Sequence, residues 1–289
     1  MVEEIIINGL IYGSIYALLA IGFSLIFGVA RVVNIAHTAL YMATAYFIHI
    51  CLSYWGMSPL WANLLSILLT IILGLVCYQL FIKPIREHES AVLIATIALA
   101  MVIQEILLIC FHGSYLSVPP LVTGFLVVGE IKVANQHILA LAVAVLALVA
   151  TWLFLMKTRI GLGIRCVSQD REIANLMGIS VNREIMITLG ISVGLAAVAG
   201  AVVAPLRVIE PHMWMEPLIM MLAIVVLGGL GSIKGSFIAS YILGFTETIV
   251  IFAFPNAAFL SRSIALSIMI LVLLIRPEGL FGVAFEEER

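Results

Sequence analysis

Long apolar runs joined by short polar segments make up nearly all of this chain. Hydrophobic residues are 64% of the 289 and charged residues only 10%, whereas soluble domains have about 45–50% apolar and about 25% charged residues. A water-soluble fold cannot bury that much apolar surface, so the surroundings must be lipid. The sequence therefore predicts an all-α polytopic membrane protein with a single transmembrane domain over residues 1–289.

Runs of about 20 apolar residues, enough to cross a bilayer as a helix, recur along the chain. The count is eight or nine, because the run at 217–230 is short and leads into the glycine-rich "GGLGSIKGS". Such an interrupted segment either crosses fully or is re-entrant, and lipid tolerates it only where protein or a water-filled cavity covers the backbone. The candidate spans are 5–29, 36–54, 60–82, 91–112, 136–156, 184–206, 217–230, 236–254 and 263–276.

The basic residues orient these spans. With the N-terminus outside and nine crossings, eleven of the 14 Lys and Arg residues fall in the cytoplasm, as the positive-inside rule requires. The loops 113–135 and 207–216 then lie outside, the C-terminus lies inside, and only Lys132, Arg207 and Arg262 are external. The cytoplasmic set is Arg31, Lys83, Arg86, Lys157, Arg159, Arg165, Arg171, Arg183, Lys234, Arg276 and Arg289.

The sequence carries no pattern typical of an enzyme. There is no HExxH, no GxSxG and no Cys/His metal spacing. The glycine-rich segment 228–236 lacks the Gly-Lys-Ser/Thr of a nucleotide-binding loop. We therefore predict no catalytic residue, no metal site and no cofactor bound by this chain.

A few polar residues lie within the apolar runs, where each costs free energy. Asn34 and His37 lie at the start of the second span, which favours a functional location. Glu105 and Glu247 lie inside spans, and two interpretations stay open for both: they line a translocation path, or they bond to neighbouring helices and hold the bundle together. Gly229 and Gly231, in the interrupted segment, complete the candidate path residues.

The stretch "CVSQDREIANLMGIS", residues 166–180, stands out by its charge. Ser168 suits a helix N-cap, Asp170 and Glu172 suit the first turn, and Gly178 suits the position after the last turn. These residues predict a short cytoplasmic helix over 169–177, which would be only marginally stable on its own. It either rests on the membrane surface or docks on a cytoplasmic partner. Its apolar face would consist of Ile173, Leu176 and Met177.

This stretch resembles the EAA-xxx-G coupling loop of ABC importer permeases. Glu172, Ala174 and Gly178 match the pattern, and Ile173 replaces the middle Ala. Over residues 5–282 the chain is similar to branched-chain amino acid permeases of the LivH type. The segments that carry this resemblance are "NGLIYGSIYALLAIGFSLIFGVARVVNIAH", "RIGLGIRCVSQDREIANLMGIS", "VLGGLGSIKGSFIASYILGFTE" and "LVLLIRPEGLFG".

The resemblance implies a permease subunit in a bacterial inner membrane, paired with a LivM-like second permease. Two cytoplasmic ATPases, which bind ATP and Mg²⁺, would dock on the short helix within the cytoplasmic coupling loop 158–183. An extracytoplasmic binding protein would deliver leucine, isoleucine or valine. No nucleic acid is implied. The ATPase-coupling residues would be Arg171, Glu172, Ile173, Ala174, Leu176, Met177 and Gly178.

One segment departs from the family pattern. Where the family usually reads Asn-Phe-Ala-His-Gly-Glu, this chain has "NIAHTA" at residues 34–39. The missing Glu leaves a second substrate class open within the same family, namely urea, short amides or another amino acid. A secondary carrier is the rival outside the family, and it would need a coupling-ion site and two matched broken helices.

Overall fold

A computed structural model describes residues 2–128 and 131–282, and helices dominate that part of the chain. The predicted all-α class is confirmed. In chain order the α-helices are α1 (Val2–Ala30), α2 (Ala36–Ser53), α3 (Pro59–Cys77), α4 (Glu89–Phe111), α5 (Asn135–Lys157), α6 (Arg159–Gln169), α7 (Arg171–Leu176), α8 (Val181–Val203), α9 (Met215–Gly228), α10 (Ile233–Ala253) and α11 (Ser261–Ile275).

Short non-α elements complete the architecture. A π-helical turn, Tyr78–Ile82, and a 3-10 turn, Lys83–Ile85, extend α3, and a second 3-10 turn, Pro255–Leu260, precedes α11. Between α4 and α5, strands β1 (Phe125–Val128) and β2 (Ile131–Ala134) form an antiparallel hairpin in which Phe125 pairs with Ala134. The sequence predicts only a loop over 113–135, and the hairpin within it is not predicted.

The first helix, α1, is the axis of the bundle. It is buried along nearly all of its length after Gly9, and α8 and α10 pack along it. A Cβ atom at Gly13 would lie 2.7 Å from the Tyr241 ring of α10, so only glycine permits this approach. Small residues at such contacts are the usual basis of helix packing in lipid, and Gly9 packs in the same way against the Phe245 ring of α10.

Paired side chains fix the directions of the helices. Near the end of α1, Ser24 bonds Ser236 at the start of α10, and nearer its beginning Tyr16 bonds Glu247 towards the end of α10. The two helices are therefore antiparallel. Within the described residues the helices run in nine successive passes, and seven of them are long and apolar enough to span a membrane.

The two remaining passes, α2 and α9, are outside this set of seven, and α9 is the shortest of the nine passes. The 14 residues of α9 rise about 21 Å, less than the hydrocarbon thickness of about 30 Å. Helix α9 packs among α1, α10 and α11, so protein covers this short, interrupted segment, as lipid requires.

Nine passes give the bundle two faces. One face carries α6, α7 and the ends of α1 and α11, and we call it the coupling face. The opposite face carries the hairpin, the α8–α9 connection and the start of α11. The basic residues predicted to lie together are on the coupling face, except Arg289, which lies outside the described residues; Lys132, Arg207 and Arg262 are on the opposite face.

The predicted single helix over 169–177 is wrong in its bounds. Two helices, α6 and α7, meet at Asp170, whose extended backbone separates them. Asp170, not Ser168, caps α7, because the Ser168 hydroxyl donates back to the Arg165 carbonyl within α6. Thr158 caps α6 by accepting from the Gly161 amide at 2.9 Å.

Candidate coupling helix and translocation residues

The short helix α7 is fixed at both ends by its own sequence. The Asp170 carboxylate accepts from the Ile173 amide at 2.9 Å, which satisfies an otherwise free donor in the first turn. At the other end Gly178 has φ +83°, and the Ile179 amide returns to the Ala174 carbonyl at 3.0 Å. A left-handed glycine followed by such a bond is a common helix stop, so α7 has a defined length and direction.

The outer side of α7 is apolar and uncovered. Ile173 is 60%, Leu176 85% and Met177 78% exposed, whereas Ala174 is buried against the bundle. Glu172 is also exposed. The apolar face predicted for this helix is therefore present and directed away from the chain.

Arg171 differs from the other predicted coupling residues, because it points inward. Its Nε and Nη2 atoms both donate to the Val29 carbonyl at the end of α1, at 3.1 and 2.8 Å. Burial, followed by the charges of Arg31 and Arg86, lowers the pKa of Arg171 from its ordinary value. Arg171 thus joins α7 to the axial helix, where carbonyl groups at a helix C-terminus favour a cation.

Asn34 and His37 lie where α2 begins, inside the bundle. Both are buried, and His37 packs against the space left by Gly22 of α1. The Oδ1 atom of Asn34, both ring nitrogens of His37 and the Thr38 hydroxyl make no hydrogen bond of ordinary geometry to the described residues. Buried polar atoms are almost always partnered, so this break between α1 and α2 concentrates unsatisfied polar groups.

Glu247 is buried in the half of the bundle away from the coupling face. The Tyr16 hydroxyl donates to its Oε2 atom at 2.7 Å, and Arg262 Nε lies 3.7 Å from Oε1. These contacts join α1, α10 and α11. Of the two interpretations left open, holding the bundle together accounts for all contacts of Glu247 to the described residues.

Glu105 does not lie with Glu247. Its side chain is exposed on the outer surface of α4, where its contact is with the neighbouring Gln104 at 3.2 Å. Gln104 points inward and accepts from Trp214 at 2.8 Å. The carboxylate therefore faces whatever surrounds the chain at this surface.

Gly229 and Gly231 form the tight turn between α9 and α10, at the coupling face. Their φ angles are +98° and +80°, and Gly231 packs on Gly28. The segment after α11 closes over this turn, with the Leu280 amide donating to the Leu227 carbonyl at 2.8 Å. The six predicted path residues thus occupy four separate places, and this chain alone does not bring them together.

A charged cleft on the opposite face was not predicted. Arg207 follows α8 and Glu216 begins α9, and both line a cleft with Tyr12, Tyr16 and Tyr41. The sequence signal was weak, because these residues come from three distant segments. The sequence alone predicts Arg207 only as an external charge.

Comparison with known proteins agrees with this architecture. The model of the family described as "Branched-chain amino acid transport system / permease component" matches residues 5–273. The chain belongs to this family. The LivH-type resemblance drawn from its motifs is confirmed.

Curated relatives of this permease match it over nearly their whole length. It is 30% identical to the high-affinity branched-chain amino acid transport system permease protein BraD of Pseudomonas aeruginosa, over 96% of this chain and 94% of that one. It is 29% identical to LivH of Escherichia coli K12, over 95% and 94%. It is 28% identical to a probable LivH of Methanocaldococcus jannaschii, over 99% and 94%.

A solved structure shares the fold of the permease. PsaBC from Streptococcus pneumoniae, in complex with a Fab, superposes with a TM-score of 0.54 over 96% of this chain and 97% of that chain. The identity is 17%, so this similarity supports the fold alone.

Proposed function

We propose that this chain is the LivH-like permease of an ATP-driven importer that moves branched-chain amino acids. It pairs with a LivM-like second permease, two cytoplasmic ATPases dock on α7, and an extracytoplasmic binding protein delivers the substrate. ATP and Mg²⁺ are bound by the ATPases, and this chain supplies no catalytic residue. The names of the relatives support the substrate class.

The uncovered apolar face of α7 is the observation that carries this proposal. A six-residue helix is too short to be stable alone, yet Asp170 and Gly178 fix its ends and Arg171 binds it to α1. Ile173, Leu176 and Met177 then project outside the apolar bundle, where a groove of a partner protein would cover them. The Arg171 bonds to the Val29 carbonyl give a direct mechanical link from this docking surface to the axial helix.

The charge distribution supports placing α7 in the cytoplasm. The coupling face carries most of the lysines and arginines, which favours the cytoplasmic side by the positive-inside rule. The N-terminus would then lie outside and the described C-terminal end inside. On the outer side, the hairpin exposes Phe125 and Val127, and Tyr115 is exposed nearby; this surface suits contact with the binding protein.

The exposed Glu105 supports a path between two permease subunits. Its neighbours on the surface of α4, Met101, Val102 and Ile106, are exposed apolar residues. A carboxylate on such a surface is costly against lipid, and a partner subunit with an aqueous path between the chains relieves that cost. Asn34 and His37, buried at the start of α2, would act on gating from within the subunit rather than line the path.

Uptake of labelled leucine tests the proposal. Cells lacking their own branched-chain systems would express this permease with its neighbouring permease, ATPases and binding protein. We expect uptake that requires ATP and is competed by isoleucine and valine. If urea or short amides compete instead, the substrate belongs to that class. Uptake by this chain without the ATPases would contradict an ATP-driven importer.

A further inference from the structure

A narrow cleft opens on the face opposite α7, between α1, α2, α8 and α9. Ile15, Leu19 and Val203 form its apolar floor, and all three are buried. The volume of the cleft that admits a water molecule is about 20 Å³. One water fits such a volume, so the cleft is closed to larger molecules in this conformation.

Arg207 and Glu216 lie at the mouth of the cleft, and a second cation, Arg262, pairs with Glu216. Arg207 Nη1 donates to Glu216 Oε2 at 3.3 Å, and Arg262 holds both Glu216 oxygens, at 2.6 and 2.7 Å. Arg207 is 37% exposed, and its guanidinium makes no other hydrogen bond to the described residues; its backbone amide donates to the Val203 carbonyl at 3.1 Å. Its guanidinium lies 6.0 Å from the centre of the Tyr12 ring. Arg207 therefore keeps most of its donors available, whereas Glu216 is firmly positioned.

This arrangement matches the chemistry of an aliphatic α-amino acid. A guanidinium with free donors binds a carboxylate in a bidentate manner. A fixed carboxylate beside an aromatic face suits an ammonium group. An apolar floor suits a branched aliphatic side chain. Urea and short amides carry neither charge, so the cleft distinguishes the two substrate classes left open by the sequence.

We propose that this cleft, once the start of α9 moves away from Arg207, is a binding site for a zwitterionic amino acid with an aliphatic side chain. Arg207 binds its carboxylate, Glu216 its ammonium group, and the floor of Ile15, Leu19 and Val203 its side chain. The site lies within one subunit, on the side from which the substrate arrives. This inference rests on the proposed function and names where that substrate is recognised.

Binding to the assembled permease pair with its ATPases, reconstituted without the binding protein, tests the site. Labelled leucine is the probe. Two competitors each lack one charge: leucinamide has no carboxylate, and 4-methylpentanoate has no ammonium group. The variants are Arg207→Gln and Glu216→Gln, and Lys132→Gln is the matched control, because Lys132 is a cation on the same face but outside the cleft.

We expect each variant to lose affinity only for those ligands that carry the charged group it would bind. Arg207→Gln should weaken leucine binding by about ten- to a hundredfold, the range of a charge-assisted contact, and leave leucinamide unchanged. Glu216→Gln should weaken leucine and leucinamide and leave 4-methylpentanoate unchanged. Lys132→Gln should bind all three as the unmodified complex does.

Two results would overturn the site. One is no leucine binding by the complex alone. The other is that the two variants change the affinity for all three ligands equally, or change none of the affinities. An ion pair that only closes the outer face would give this result, because its effect would not depend on the charge of the ligand. Either result is compatible with ATP-driven leucine uptake in the presence of the binding protein, so it can be told apart from failure of the proposed function.

Discussion

The apolar face of α7 gives the sharpest test of ATPase docking, and Leu176 is its most exposed member. Replacing Leu176 with Gln keeps the length and the helix propensity of the side chain while removing its apolar character. Full burial of a leucine side chain contributes about 1.5–3 kcal/mol. Because 85% of Leu176 is exposed before docking, the contact contributes about 1.3–2.5 kcal/mol, which is roughly an eight- to seventyfold change in Kd.

The assay is binding of the ATPase subunits to the permease pair in lipid nanodiscs. Leu162→Gln is the matched control, because Leu162 is also an exposed leucine of the coupling face but belongs to α6. The control should bind the ATPases normally. If Leu176→Gln binds them as tightly as the unmodified pair, the docking surface is not α7, and the reasoning from exposed apolar area is refuted.

Three further predictions concern the supports of this arrangement. Arg171→Lys keeps the charge but loses the forked contact with the Val29 carbonyl. ATPase docking should therefore persist while ATP hydrolysis becomes uncoupled from uptake. If docking and uptake are lost equally, Arg171 belongs to the docking surface instead. Gly178→Val should weaken docking and uptake, because a β-branched residue resists a φ of +83°, whereas Gly178→Asn should be tolerated; normal docking by the Val variant would refute the helix-stop role. Glu247→Leu leaves the Tyr16 hydroxyl unpaired and should destabilise the complex by about 1–3 kcal/mol in thermal unfolding. Glu247→Gln still accepts a hydrogen bond from Tyr16, so this variant should assemble and transport. A transport defect in a fully assembled Glu247→Gln complex would favour a path role for this charge.

The membrane architecture was predictable because it depends on the composition of long segments. Runs of apolar residues specify helices in lipid regardless of their partners, so α1, α5 and α8 lie close to their predicted bounds. The apolar face of α7 was also predictable, since Ile173, Leu176 and Met177 follow helical spacing.

Other features depend on contacts that the local sequence does not encode. Ser168 and Asp170 both suit an N-cap, and only the break between α6 and α7 decides for Asp170. The inward direction of Arg171 depends on the Val29 carbonyl, which lies more than a hundred residues earlier in the chain. Gly229 and Gly231 matched an interrupted span by composition, but their packing on Gly28 and on the C-terminal segment makes them parts of a tight turn.

The cleft with Arg207 and Glu216 shows the same limit for a site. Each residue alone is an ordinary external charge near the end of a helix. Its apolar floor comes from α1 and α8, whose residues are hidden among many similar ones. Only the packing of the helices brings the charges and the floor together.

The most direct test of the central claim is leucine uptake into proteoliposomes that hold the permease pair and its ATPases, with ATP and the binding protein supplied on chosen sides. We expect uptake only when ATP is on the side of α7 and the loaded binding protein is on the side of the hairpin. Uptake without ATP, or uptake driven by ATP on the hairpin side, would contradict this expectation.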